Sequence, residues 1–163
     1  MGMISQDMRD VIRRAMLSYV ATICEDGSPN LSPKGSVFAY DDDHLIFMNQ
    51  ASPHTAANLR RDPRVEINSV DVFRRRGYRF KGTATLVPPG EAPFEWLKQK
   101  LIDLNGPGYP AHEALLVTVE HVAPLLSPVY GWGHGKEEEL APRYAASYVK
   151  AAGLTPADLT QKR

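Results

Sequence analysis

Along the first half of the chain the spacing of apolar positions changes several times, and each change marks an element. Met8, Val11, Ile12, Ala15 and Met16 recur at helical spacing behind Ser5, a good capping residue, so Gln6–Met16 reads as a short amphipathic helix. From Leu17 the pattern turns β-branched and aromatic. Tyr19–Cys24 reads as a strand, closed by turn chemistry at Glu25-Asp26-Gly27-Ser28-Pro29. Asn30–Tyr40 is its return partner, and Pro33, which has no N–H, places that stretch at a sheet edge or on a bulge. His44–Asn49 is the next strand. Ser52-Pro53 opens a helix with a cap and a proline at its first position, and Asp62-Pro63 ends it.

Arg64–Phe73 and Tyr78–Val87 read as two strands around an Arg74-Arg75-Arg76-Gly77 turn. Glu91–Asn105 follows as a helix with Phe94, Leu97, Leu101, Ile102 and Leu104 on its buried side, stopped by Gly106-Pro107-Gly108. Ala114–Ala123 is the last strand, with Leu115, Val117, Val119 and His121 on one face. Pro124–Gly135 reads as an aromatic, glycine-rich loop and Lys136–Leu140 as a charged run whose glutamates suit a helix's first turn. Pro142–Ala152 reads as a helix, and Thr155-Pro156 as another capped start. About six strands joined mostly by short turns favour a closed antiparallel barrel. A doubly wound sheet needs a helix after nearly every strand, and the hairpins leave no room for one.

Composition narrows the function classes. The 163 residues suit one domain with appendages, and 19 Lys and Arg balance 19 Asp and Glu, which removes a global drive toward nucleic acid or anionic membrane. Arg74-Arg75-Arg76 therefore reads as a solvated turn. A single cysteine, Cys24, excludes an internal disulfide framework and fits a reducing compartment, where it reads as an inert core thiol. The apolar run Ser18–Cys24 is too short to span a bilayer and no basic-then-apolar leader precedes it, so a soluble, cytoplasmic protein is expected. His44, His54, His112, His121 and His134 have no paired metal-ligand spacing, and no metal site is expected.

Three segments bring donors or positive charge beside a small residue. The helix opening at Ser52 offers free N–H groups, its dipole, the Ser52 and Thr55 hydroxyls and the His54 ring, which together suit a phosphate. A plain helix start accounts for the same residues. Ser32-Pro33-Lys34-Gly35-Ser36 couples a point charge to a glycine that lets a flat ligand or phosphate approach the backbone. A bulged edge strand with a guarding lysine is the alternative. Alternation puts Arg79 and Lys81 on one face of a strand and Phe80 on the other, either flanking an anion or facing solvent.

The order of these elements, with the stretch Leu45-Ile46-Phe47-Met48-Asn49-Gln50-Ala51-Ser52-Pro53-His54-Thr55, then Asn58-Leu59-Arg60-Arg61-Asp62-Pro63-Arg64-Val65 and a hairpin ending Arg79-Phe80-Lys81-Gly82, resembles the pyridoxamine 5′-phosphate oxidase-like family of flavin-binding split barrels. The resemblance covers roughly residues 5 to 125. It implies a mainly β, six-stranded antiparallel split barrel of Greek-key order with flanking helices, over residues 1–125. Residues 126–163 would form a loop and helical extension packed on it. It also implies FMN at a homodimer interface. Ser32, Pro33, Lys34, Gly35, Ser36 and Val37 would run beside the flavin ring and ribityl chain, with Phe47, Met48 and Asn49 along the adjoining strand. Ser52 and His54 would hold the phosphate, helped by Lys34 and by Arg79 or Lys81, and Trp132 would match an aromatic over the flavin. Relatives usually carry Arg or Lys where this chain has His54, which implies a weaker or pH-dependent phosphate affinity, and Gly77 replaces a polar residue common nearby.

The expected activity is that of an FMN-dependent oxidoreductase, with a nicotinamide nucleotide or other reductant as donor and a small organic acceptor. No acid or base is assigned. Arg143 and His134 do not reproduce the pattern that grips pyridoxal phosphate in the oxidase itself, so the vitamin B6 reaction is not expected. Two other readings share the barrel: a non-catalytic flavin or haem binder, ligating iron through His112, His121 or His134, and a deazaflavin-dependent reductase.

Overall fold

Capping chemistry starts the fold. In the computed structural model, which describes residues 2–133, 135–155 and 158, Ser5 Oγ accepts the backbone N–H of Met8 at 3.3 Å and opens α1 (Gln6–Ala15). The strands that follow are β1 (Ser18–Ile23), β2 (Pro29–Lys34), β3 (Phe38–Ala39), β4 (His44–Asn49), β5 (Arg64–Asp71), β6 (Arg76–Val87) and β7 (Glu113–Leu126). They form one antiparallel sheet in the order β2-β1-β5-β6-β7-β4-β3.

The mainly β, antiparallel architecture is as expected, with seven strands in place of six. The expected return strand Asn30–Tyr40 breaks at Gly35-Ser36-Val37 into β2 and β3, which lie at opposite edges of the sheet. Three intervening residues let Lys34 and Phe38 separate by at most about 14 Å. The sheet must therefore curl until its two edges approach, leaving an open seam where the chain crosses. This is the split of the barrel.

Alternation distributes the core over two layers. On β4, Leu45 and Phe47 point into the barrel with Val20, Ile67, Phe80 and Val117, while Ile46 and Met48 point outward beneath α3 (Ala92–Asn105), against Phe94, Leu97 and Leu101. Both faces of β4 are covered, so its sequence shows no polar alternation. Leu104, expected on the buried side of α3, is 67% exposed in the last turn of the helix.

Two ends differ from the sequence expectation. The strand predicted to reach Phe73 stops at Asp71, whose carboxylate accepts the N–H groups of Phe73 (3.1 Å) and Arg74 (3.0 Å) and turns the chain over 72–75. Gly77 is consequently in β6 rather than in the turn, and a Cβ there would lie 2.1 Å from the Ser69 carbonyl oxygen. The last strand runs on to Leu126 instead of ending at Ala123. A bulge between Lys81 and Gly82 changes its phase, so Val122 packs toward the core and His121 is exposed.

α2 (Pro53–Arg61) packs across β1 and β6. α4 (Glu137–Ala151) begins earlier than Pro142, at the acidic run, because Arg74 and Arg76 bind the Glu137 carboxylate at 2.9 and 2.8 Å. Of the capped start expected at Thr155-Pro156, Pro156 lies outside the described residues. Among the described residues no helix is long and apolar enough to cross a membrane.

Candidate functional site

The end of β2 and the opening of α2 meet at one side chain. Period-two alternation puts Ser32 and Lys34 on the same, inward face of β2, and Lys34 is 6% exposed. Its ammonium donates to Ser32 Oγ at 2.8 Å and to Ser52 Oγ. Among the described residues no carboxylate pairs with it. Burial pushes this ammonium below the usual lysine range, since the charged form is desolvated without a counter-charge.

Ser52 was expected to cap α2 with its hydroxyl. It makes no such bond. Its carbonyl accepts the Ala56 N–H at 3.2 Å and its hydroxyl serves Lys34, so no side chain of the cap residue occupies the first-turn N–H groups. A brace holds it there: the Ser52 N–H donates to Asn49 Oδ1 (3.1 Å), the Asn49 amide donates to Glu113 (3.0 Å), and Arg60 pairs with Glu113. In the same loop Gln50 Nε2 is buried with no partner among the described residues.

Lys34 and Gly35 also line a cleft of about 830 Å³, floored by Val37, Phe38 and Ala39 and walled by the end of α1 and by Trp96, Lys100 and Leu101 of α3. A Cβ at Gly35 would meet only the Met16 carbonyl, at 3.7 Å. Nothing in the fold requires glycine there. The space over its backbone belongs to the cleft.

The remaining expected residues divide. Ser36 Oγ accepts the Met48 N–H at 3.2 Å and ties the seam to β4. Phe47 and Met48 are fully buried, in the barrel and beneath α3 respectively, and serve packing. Pro33 is exposed on the outer face of the edge strand. Thr55 turns inward under α2, where its hydroxyl accepts from Asn30 at 3.5 Å. His54 is exposed on the first turn of α2.

Arg79 and Lys81 stand apart from Lys34. In the ladder Lys34 aligns with Ser18, Ser69 and Tyr78, and the neighbouring row aligns Pro33, Tyr19, Asn68 and Arg79. Adjacent rows face opposite sides. Both cations are therefore on the outer surface, paired with Glu66 at 2.8 and 3.5 Å. Trp132 is 71% exposed and outside the cleft. His112 and His121 are exposed, His134 lies outside the described residues, and among the described residues no three His, Cys, Asp or Glu side chains gather as a metal site would require.

Sequence reasoning missed Trp96 and Lys100. The signal was available: at helical spacing Trp96 falls beside the stripe of Phe94, Leu97 and Leu101, and an aromatic there implies a second surface to cover.

Comparison with known proteins bears on this arrangement. HupZ of Group A Streptococcus is similar in structure, with a TM-score of 0.67 and 35% identity over 77% of this chain and 96% of that one. An FMN-binding protein from Syntrophomonas wolfei gives a TM-score of 0.58 at 15% identity, covering 72% of this chain and 88% of that one. An F420 reductase gives 0.58 at 21% identity, covering 74% and 98%. Among curated proteins, none matches the sequence. The family model described as pyridoxamine 5′-phosphate oxidase matches residues 4–125, the whole curled sheet but the last residue of β7. By that match the chain belongs to the pyridoxamine 5′-phosphate oxidase family.

Proposed function

We propose that the protein is an FMN-binding flavoprotein acting as an oxidoreductase on a small molecule. The observation that carries this reading is the Lys34 ammonium, buried with no carboxylate partner among the described residues and gathered with the Ser32 and Ser52 hydroxyls at the opening of α2. A phosphate there supplies the missing counter-charge and takes up the first-turn N–H groups. The Gln50 amide nitrogen, without a partner among the described residues, and the open space over Gly35 fit the same group: one offers a donor from the loop before α2, the other lets a flat ring approach the backbone. The FMN-binding relative adds fold-level support.

When bound, the flavin supplies the electron and hydride chemistry. The chain's own part is to hold the phosphate through Lys34 and Ser52, keep Ser52 in place through the Asn49–Glu113–Arg60 brace, and exclude water with the apolar cleft wall. In this reading two copies associate with the flavin between them. Trp132 and Leu126, both exposed, are large apolar anchors for such an interface.

Titration of the purified protein with FMN, followed by flavin fluorescence, should show saturable binding. Lys34→Met should weaken it roughly tenfold or more, the loss expected for a charge-assisted contact. No binding by the native protein, or identical binding by the variant, would remove the proposal's basis. F420 run in parallel decides between flavin and deazaflavin. Sedimentation should give a dimer whose stability increases with FMN, and a monomer holding FMN tightly would contradict the shared site.

A further inference from the structure

Beside the anion corner, the cleft itself has an uneven charge. Arg9 and Arg13 line it, but each is engaged by a neighbouring acid, Asp42 at 2.6 Å and Asp10 at 3.0 Å. Lys34 and Lys100 have no carboxylate partner among the described residues. The one acid on the wall, Asp103, is bonded by Gln99 at 2.7 Å. The walls between these charges are apolar: Ile12, Val37, Phe38 and Leu101. On the α3 side Trp96 is fixed edge-on by Phe38 and Tyr40, with ring centroids 6.3 and 5.3 Å away, and the Lys100 ammonium lies 5.6 Å from its centre. Here an unpaired cation is mounted on a rigid aromatic platform at the side of an apolar room.

We infer that this cleft receives a flat, apolar molecule carrying an anionic group, with Lys100 and Trp96 as the elements that recognise the acid end and the ring. Charge complementarity selects the class. A low-dielectric concavity with surplus positive charge concentrates anions, and the aromatic and aliphatic wall binds only those with an apolar body. A neutral hydrophobe makes no use of the exposed Lys100 ammonium, and a small hydrophilic anion leaves the wall unfilled. That this ligand is the oxidoreductase's substrate rests on the flavin reading. Its binding does not.

The test uses the full chain without added flavin and two probes of similar size, the anionic 1-anilinonaphthalene-8-sulfonate and the neutral N-phenyl-1-naphthylamine. The sulfonate should bind saturably at one site per chain, roughly tenfold tighter than the neutral probe, the factor appropriate to one charge-assisted contact. Lys100→Glu should weaken the sulfonate about tenfold and leave the neutral probe unchanged. Lys136→Glu, on the exposed stretch before α4, controls for net charge and should change neither. Equal affinity for the two probes, or a sulfonate affinity indifferent to Lys100→Glu, overturns the inference. FMN titration of the same samples separates the two readings: sulfonate binding without FMN binding discards the flavin and keeps the cleft, and the reverse discards the cleft and keeps the flavin.

Discussion

Lys34 shows what a single buried charge does to both stability and binding. Its ammonium is held below its ordinary range by desolvation, so the folded chain binds fewer protons there than the unfolded chain does. Stability conferred at this site must therefore rise as pH climbs from the depressed folded value toward the unfolded value of 10.5. Chemical denaturation across that range should show this slope in the native protein and a flatter profile in Lys34→Met, and equal slopes would contradict the burial cost. Two glycines make a second contrast. At Gly82 a Cβ would lie 1.9 Å from the Thr118 carbonyl oxygen, within the ladder itself, whereas at Gly35 it meets only ordinary contact. Gly82→Ala should cost about 2 kcal/mol in urea unfolding, and Gly35→Ala should leave stability intact while lowering FMN affinity. Lys34 and Gly35 were legible in the sequence as a charge next to a small residue. The loss of the Ser52 cap was not, because a hydroxyl chooses between a backbone N–H and an ammonium only once the third dimension brings the ammonium near.

Among the elements, the hairpin joining β5 and β6 binds the most distant parts of the chain together. Burial would raise the Asp71 carboxyl, but the Arg74 N–H and the Arg74 and Arg14 guanidinium groups, at 3.0 and 2.9 Å, outweigh it and hold the group below its usual range. Next to it Arg76 bridges Asp7 of α1 and Glu137 of α4 at 2.7 and 2.8 Å. Asp71→Ala should cost about 3 kcal/mol, since it leaves Arg14 without a carboxylate, Arg74 with Glu137 alone, and the turn's Phe73 and Arg74 N–H groups without their acceptor. With a depressed carboxylate the contribution is complete above 3.8 and lost as pH falls below it. An acid titration by circular dichroism should find the native protein converging on Asp71→Ala at low pH. Periodicity located these strands correctly and misplaced their turn. The run of three arginines looked like the solvated tip, while the decisive residue was an aspartate closing the chain back on itself.

At the scale of the whole molecule, the sequence was most informative about order and least about edges. The element sequence from α1 to β7 followed from alternation and caps, and the family from the resemblance carried by residues 45–65 and 79–82. That Asn30–Tyr40 supplies two strands rather than one did not, because a break at Gly35-Ser36-Val37 is visible only when the sheet curls and the two halves must pair with different neighbours. The opposite orientation of Arg79 and Lys81 from Lys34 has the same origin. Each alternation was read correctly along its own strand, but the relative phase of strands is set by register, and register is a long-range property.

The seam where β2 hands over to β3 carries a consequence for traffic in and out of the molecule. One uninterrupted run of chain supplies both lips of the opening, so its aperture is governed by contour length. Two glycines added after Gly35 would relax the lips for about 0.5 kcal/mol of closure entropy, leaving the melting point nearly in place. Stopped-flow release of a bound dye or flavin should then accelerate, making this crossing the dial that sets residence time.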